Sequence, residues 1–192
     1  MKERPILFKA EMVRAILEGR KTQTRRIWKM PNWAEWDLQE GGEKSGNLIP
    51  KDPKNGAWYS VDEVACPYGK IGDQLWVREK FRITGEGPGE KLSLFDRDDV
   101  QYFADADESY IGPYHPSIHM PRRFSRIQLE ITGIRVERLQ DIGQGDACAE
   151  GCPIGFEPIG WYRDLWESIN GPESWEANPW VWIVEFRRID HD

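Results

Sequence analysis

One segment of the sequence, residues 72–83, alternates between two kinds of side chain and is the strongest constraint on the fold. Its two faces are Leu75, Val77, Glu79 and Phe81 on one side, and Trp76, Arg78, Lys80 and Arg82 on the other. A period of two residues is typical of a half-buried β-strand. The segment therefore predicts one strand, with Glu79 as a carboxylate on the face that should be buried.

Further elements follow from the same reading of periodicity. Apolar residues at helical spacing predict a first helix over about Lys9–Glu18, and Gly19 follows where a helix favours a left-handed residue. The other predicted elements are strands at Val100–Ala104, at Arg126–Ile131 and Ile134–Glu137 with a bulge or bend at Gly133, and at Trp180–Arg187, and helices at about 145–150 and 162–169. Several strands with few, short helices predict an α+β fold, a small β-barrel with helices packed on it.

The chain has 192 residues, a length that favours one domain over 1–192. The stretch of about 30–70 is rich in Gly, Pro, Asn and Lys but contains aromatic residues, among them Trp33, Trp36, Trp58 and Tyr59. This composition predicts a long insertion held by aromatic anchors, rather than a second domain.

Composition excludes some classes of protein. Aromatic residues make up 12% of the chain, whereas disordered segments are poor in them. No stretch approaches the ~20 apolar residues that cross a bilayer, and no apolar signal core follows the N-terminus. Three cysteines match no disulfide framework, so we expect a cytoplasmic protein that binds no membrane.

Charge is distributed unevenly along the chain. The formal net charge is −7, yet residues 1–29 contain nine basic and three acidic side chains. An acidic body argues against tight binding of duplex DNA, whereas a local basic site suits a small anionic ligand or a short, defined stretch of nucleic acid. Two solvated faces of opposite charge would explain the same pattern.

Three residues carry the most specific chemistry: Lys21, Thr24 and Glu79. A lysine among arginines, if partly buried, has a lowered pKa and can serve as a general base. A threonine hydroxyl beside it becomes an activated nucleophile, and Glu79 would orient the lysine or shuttle a proton. The structural alternative is a surface lysine, a turn threonine and a glutamate paired with an arginine.

The segment Gly19-Arg20-Lys21-Thr22-Gln23-Thr24-Arg25-Arg26 resembles the G-x-K-x-x-T-x-R signature of ASCH-domain proteins, a branch of the PUA-like superfamily. A later Gly-Asp-x-Leu-x-Val strand, here Gly72–Val77, fits the same family. Blocks similar to those of phage- and prophage-encoded members run from Pro116 to Arg122, Arg138 to Ile142, Leu165 to Gly171 and Asn178 to Trp182.

The resemblance implies a PUA-like β-barrel with a cleft for RNA or a nucleobase. One bacterial ASCH branch hydrolyses N4-acetylcytidine with a lysine, a threonine and a glutamate, and its lysine and threonine match Lys21 and Thr24. The expected function is thus an amidohydrolase of N4-acylated cytidine. The alternatives are a non-catalytic module that binds RNA or nucleotides, a ribonuclease, and a phage accessory or morphogenesis protein with a vestigial cleft.

The expected ligand is a nucleoside or a short single-stranded RNA, with no cofactor and no metal. Cys148 and Cys152 lack the spacing of a zinc knuckle, and Pro116 between His115 and His119 disfavours the helix that would bring both histidines to one metal. The residues expected to bind the ligand are Gly19, Arg20, Arg26, Arg122, Arg123 and His119.

Overall fold

A five-stranded sheet forms the centre of the computed structural model, which describes residues 1–29, 66–87, 89–106 and 113–189. The strands are β1 (Glu3–Leu7), β2 (Gln23–Ile27), β3 (Gln74–Arg78), β4 (Phe81–Ile83), β5 (Val100–Tyr102), β6 (Gln128–Arg138) and β7 (Trp180–Ile189). The α-helices are α1 (Ala10–Leu17), α2 (Gln144–Ala149) and α3 (Pro158–Asn170). The predicted α+β class is confirmed. Most of the predicted insertion, residues 30–65, lies outside the described residues.

The main sheet has the order β1-β3-β6-β7-β2. Strands β1 and β3 are parallel, and the other neighbouring pairs are antiparallel. The register between β6 and β7 shifts between Ile131 and Gly133, at the predicted bulge. A Cβ at Gly133 would meet the carboxylate end of the Glu185 side chain, so glycine leaves room for that side chain at the bulge.

The alternating segment 72–83 is not one strand, and this prediction was wrong. Strand β3 ends at Arg78, and β4 pairs with β5 in a separate two-stranded sheet. The chain changes partners at the break: the N–H of Phe81 donates to the carbonyl of His115, and the carbonyl of Lys80 accepts from Phe103. Burial still alternates along β4, so the period of two survives the change of sheet.

The two edge strands of the main sheet, β1 and β2, come close to each other. The Arg26 guanidinium on β2 donates to the carbonyl oxygen of Leu7, the last residue of β1, over 2.7 Å. The sheet is therefore strongly curled, and its edges face each other across a gap spanned by a side chain.

Helix α1 packs on the curled sheet because its apolar residues, Met12, Val13 and Ile16, fall on one face and are buried. The helix ends at Leu17, and the chain turns away at Gly19, whose φ of +74° costs little without a side chain. Helices α2 and α3 bury a second cluster that contains Tyr162 and Trp166 against β7. Within the described residues, no helix has the length and apolar content needed to cross a bilayer.

Candidate functional site

A cavity of about 750 Å³ opens beside the gap between β1 and β2. Its walls come from the start of α1, from β2, from the end of α2 and from α3. Four residues of the Gly19–Arg26 segment line it, namely Lys21, Thr24, Arg25 and Arg26. The signature segment thus lies at a cavity.

Lys21 forms a buried ion pair with Glu150. Its Nζ lies 2.7 Å from Glu150 Oε2 and 2.9 Å from the main-chain oxygen of the same residue. The two side chains are 1% and 3% exposed, so water screens the pair very little. Burial lowers the pKa of the Lys21 ammonium, and the Glu150 carboxylate opposes that shift.

The backbone places Lys21 against the end of α2. The N–H of Lys21 donates to the carbonyl of Ala15, and a short antiparallel bridge pairs Lys21 with Glu150. Gly151 has a φ of +104°, and a Cβ there would lie 2.9 Å from Ala15 Cβ and 3.3 Å from Lys21 Cβ. Glycine at 151 is therefore what lets the turn that carries Glu150 approach Lys21.

Thr24 and Arg25 follow on β2. Thr24 is 3% exposed and lines the cavity with Lys21. The Arg25 guanidinium lies 3.3 Å from Glu150 Oε1 and 2.7 Å from Asp146 Oδ2. One carboxylate therefore receives a lysine on one oxygen and an arginine on the other, which fixes its orientation.

Glu79 occupies a different part of the protein. It is 1% exposed, as the buried-face prediction requires, and its carboxylate accepts a bidentate pair from Arg126 at 2.9 and 3.0 Å. Burial raises the pKa of Glu79, and Arg126 opposes that shift. Glu79 does not line the cavity, and the carboxylate that holds Lys21 is Glu150.

Sequence reasoning missed Glu150 because its partners are far along the chain. Lys21 and Arg25 precede it by 129 and 125 residues, so no local spacing links them. The available signal was an acidic residue at the end of a short helix, directly before a glycine.

Gly19 and Arg20 shape the turn and do not line the cavity. Arg20 donates to Glu18 and to the carbonyl of Gly151, so it ties the end of α1 to the turn after Glu150. Its expected role as a ligand-binding residue stays a prediction.

Arg26 does line the cavity. Its guanidinium carbon lies 5.2 Å from the centre of the Phe8 ring, while Nη2 bonds to Leu7. Its Nε is buried and has no hydrogen-bond partner among the described residues. Arg26 thus retains hydrogen-bonding capacity beside the cavity.

The remaining expected binding residues do not line the cavity. Arg122 lies 2.9 Å from Glu3, and Arg123 donates to main-chain oxygens, including that of Phe95. His119 is exposed in a single 3₁₀ turn. The same turn contributes Ser117 to the cavity wall.

Aromatic side chains form much of the cavity wall: Phe8, Tyr68, Phe103, Tyr162 and Trp166. Such walls suit a planar apolar face, and the volume falls in the range of small-molecule sites. Among the described residues, no group of three or more His, Cys, Asp or Glu side chains is arranged to hold a metal ion.

Comparisons with known proteins give one distant likeness. No protein-family model matches the sequence, and no curated protein matches it. A crystal structure of an ASCH domain from Lactobacillus crispatus JV V101 is similar in shape, with a TM-score of 0.44 and 12% sequence identity. The match covers 99% of this chain and 81% of that one. A likeness this distant assigns neither a family nor a function.

Proposed function

We propose that the cavity binds a pyrimidine nucleoside and that Lys21, Thr24 and Glu150 hydrolyse an N4-acyl amide on its base. The observation that carries the proposal is the buried Lys21–Glu150 pair, which lines one aromatic-walled cavity together with Thr24. Glu150 takes the role that was expected of Glu79, because Glu150 is the carboxylate in contact with Lys21.

The walls favour a nucleobase as the ligand. A base has two flat faces for aromatic contact and polar edges for hydrogen bonds, and both kinds of partner are present around the cavity. The volume of about 750 Å³ accommodates a base with its ribose and a small acyl group.

The reaction needs a base, a nucleophile and an acid. Neutral Lys21 removes the proton from Thr24 Oγ1 as that oxygen attacks the acyl carbon. The Lys21 ammonium then protonates the departing exocyclic nitrogen, and the carbon–nitrogen bond breaks to release cytidine. Water then attacks the threonine ester, and its proton passes to Lys21. The bond between the acyl carbon and Thr24 Oγ1 breaks, Oγ1 takes the proton back from Lys21, and the carboxylic acid leaves.

Glu150 keeps Lys21 in position through these steps. It accepts from Lys21 on one oxygen while Arg25 holds the other, so the ammonium cannot turn away when it gives up a proton. The burial that lowers the pKa of Lys21 also increases its neutral fraction.

The test follows release of cytidine from N4-acetylcytidine by chromatography. We expect Lys21→Ala, Glu150→Gln and Thr24→Val to lower kcat by about 100-fold or more, since residues that act as a unit are each needed. Thr84→Val is the matched control, because Thr84 is exposed and outside the cavity wall. Glu79→Gln tests the other buried glutamate. A lower kcat in Glu79→Gln, with an unchanged kcat in Glu150→Gln, would contradict the assignment of Glu150 to the reaction.

A non-catalytic module that binds nucleotides or RNA is the second candidate. It is favoured by one detail: Nζ of Lys21 already donates to two oxygens of Glu150, as expected of a structural ion pair. This candidate predicts saturable binding of cytidine by folded protein with no turnover of several N4-acyl cytidines. Absence of both binding and turnover would contradict both candidates.

A further inference from the structure

The mouth of the cavity is more basic than its floor. Six basic side chains and two carboxylates line the cavity: Lys9, Lys21, Arg25, Arg26, Lys29 and Lys80, with Glu11 and Glu150. The molecule as a whole has a net charge of −7. A positive cavity on an acidic protein concentrates anions at that one place.

The six cations fall into two groups. Lys21 and Arg25 are buried and are neutralised by Glu150 and Asp146. The other four, Lys9, Arg26, Lys29 and Lys80, form no ion pair with a carboxylate among the described residues. We call these four the mouth cations. Within the part of the chain that the structure describes, no carboxylate neutralises their charge.

Neutral contacts hold three of the four mouth cations, Lys80, Arg26 and Lys9. Lys80 Nζ lies 4.3 Å from the centre of the Phe103 ring, and Arg26 lies over Phe8. Lys9 donates to the main-chain oxygen of Ser168 on α3. Aromatic faces and carbonyls orient a cation without cancelling its charge, so these residues can still attract an anion.

We propose that the mouth cations bind the phosphate of a pyrimidine nucleotide whose base lies in the cavity. This inference rests on the proposed function, since the base supplies the other half of the ligand. The shared chemistry is a terminal phosphate next to a pyrimidine nucleoside, either on a free mononucleotide or at the 5′ end of an RNA chain. The phosphate binds at the entrance, and the base points toward Lys21.

Isothermal titration of the intact protein with cytidine and with cytidine 5′-monophosphate tests the inference. At low salt we expect the monophosphate to bind about tenfold more tightly, because charge pairs at a partly exposed site are each weak but add. The double variant Lys29→Gln/Lys80→Gln should lose most of this advantage, measured as the ratio of its own affinities for the monophosphate and for cytidine. Lys70→Gln/Lys91→Gln removes the same charge from exposed residues outside the cavity and should preserve the advantage.

Two further titrations separate the possible outcomes. Short cytidine oligonucleotides with and without a 5′-phosphate, compared with the mononucleotide, show which source of phosphate binds better. Inorganic pyrophosphate should bind to the unmodified protein, and this binding should be lost in the Lys29→Gln/Lys80→Gln variant. Equal affinities for cytidine and its monophosphate would overturn this inference alone, whereas absence of cytidine binding and of N4-acetylcytidine turnover would overturn the proposed function.

Discussion

The free energy of unfolding should depend strongly on the buried ion pair of Lys21 and Glu150. Moving two charges out of water is costly, and the cost is recovered only while both partners and their hydrogen bonds are present. Arg25 adds a second cation to the same carboxylate. Loss of either member therefore leaves a charge in a place that excludes water.

A double-mutant cycle measures this coupling. We expect Lys21→Met and Glu150→Gln each to lower the free energy of unfolding by about 3–5 kcal/mol, because each leaves a buried charge incompletely paired. The double variant should cost clearly less than the sum of the two. Urea unfolding followed by tryptophan fluorescence gives all three values.

The exposed pair of Arg187 and Glu130 is the control for this cycle. Its side chains are 69% and 31% exposed, so breaking it should cost no more than about 1 kcal/mol. Equal costs at the two pairs would show that the Lys21–Glu150 pair is solvated in solution.

Lys21 also predicts how stability depends on pH. Its pKa is lowered in the folded protein, so the unfolded chain binds the proton more tightly, and stability rises with pH from the lowered value up to the usual 10.5. We expect Lys21→Met to remove part of this rise at pH values below 10.5. Urea midpoints at a series of pH values measure it, and parallel pH profiles for the two proteins would contradict the lowered pKa.

Elements with strong periodicity were predictable from the sequence. The first helix was expected over Lys9–Glu18 and spans Ala10–Leu17, and the last strand was expected at Trp180–Arg187 and spans Trp180–Ile189. The division of 72–83 between two sheets was not predictable, because both halves keep the same period of two. What separates them is a change of hydrogen-bond partner to residues such as His115, which local sequence does not encode.

The candidate site was predictable only in part for the same reason. Lys21 and Thr24 are close in sequence, so one motif indicates both. The third member depends on packing, since Glu79 and Glu150 are both buried acids and only the approach of α2 to the segment after α1 brings one of them to Lys21. An inward-facing carboxylate indicates that a partner exists but does not identify it.

The glycine after α2 controls that approach and gives a prediction at the scale of the element. Gly151→Ala should destabilise the protein by about 2 kcal/mol or more, because it adds left-handed strain to a collision with Ala15 and Lys21. Gly155→Ala is the matched control, with a φ of +93° and no atom within 4 Å of the added Cβ. Gly155→Ala should lower the free energy of unfolding by about 1 kcal/mol, the cost of the left-handed backbone alone. Urea unfolding of both variants tests the difference.

At the scale of the whole molecule, charge separates what the protein can attract from what it repels. The net charge of −7 opposes a long polyanion, which must pass over much of the surface, whereas a single phosphate meets only the cavity mouth. We expect a duplex of about 20 base pairs to bind at least tenfold more weakly than cytidine 5′-monophosphate at 150 mM salt. Fluorescence anisotropy with a labelled duplex measures this, and tight duplex binding that survives Arg26→Ala would place the nucleic-acid site outside the cavity.

The contact between Arg26 and Leu7 has a consequence for how the protein behaves in a crowded solution. A sheet normally exposes two rows of unpaired N–H and C=O groups, and such rows recruit strands from other molecules. Here the outer sides of β1 and β2 face each other. The Arg26 side chain crosses between them and donates a hydrogen bond to the carbonyl of Leu7. An invading strand would have to break that contact and fit into the gap beside the cavity. The curl that brings the two edges together beside the cavity thus leaves an invading strand less room at those edges.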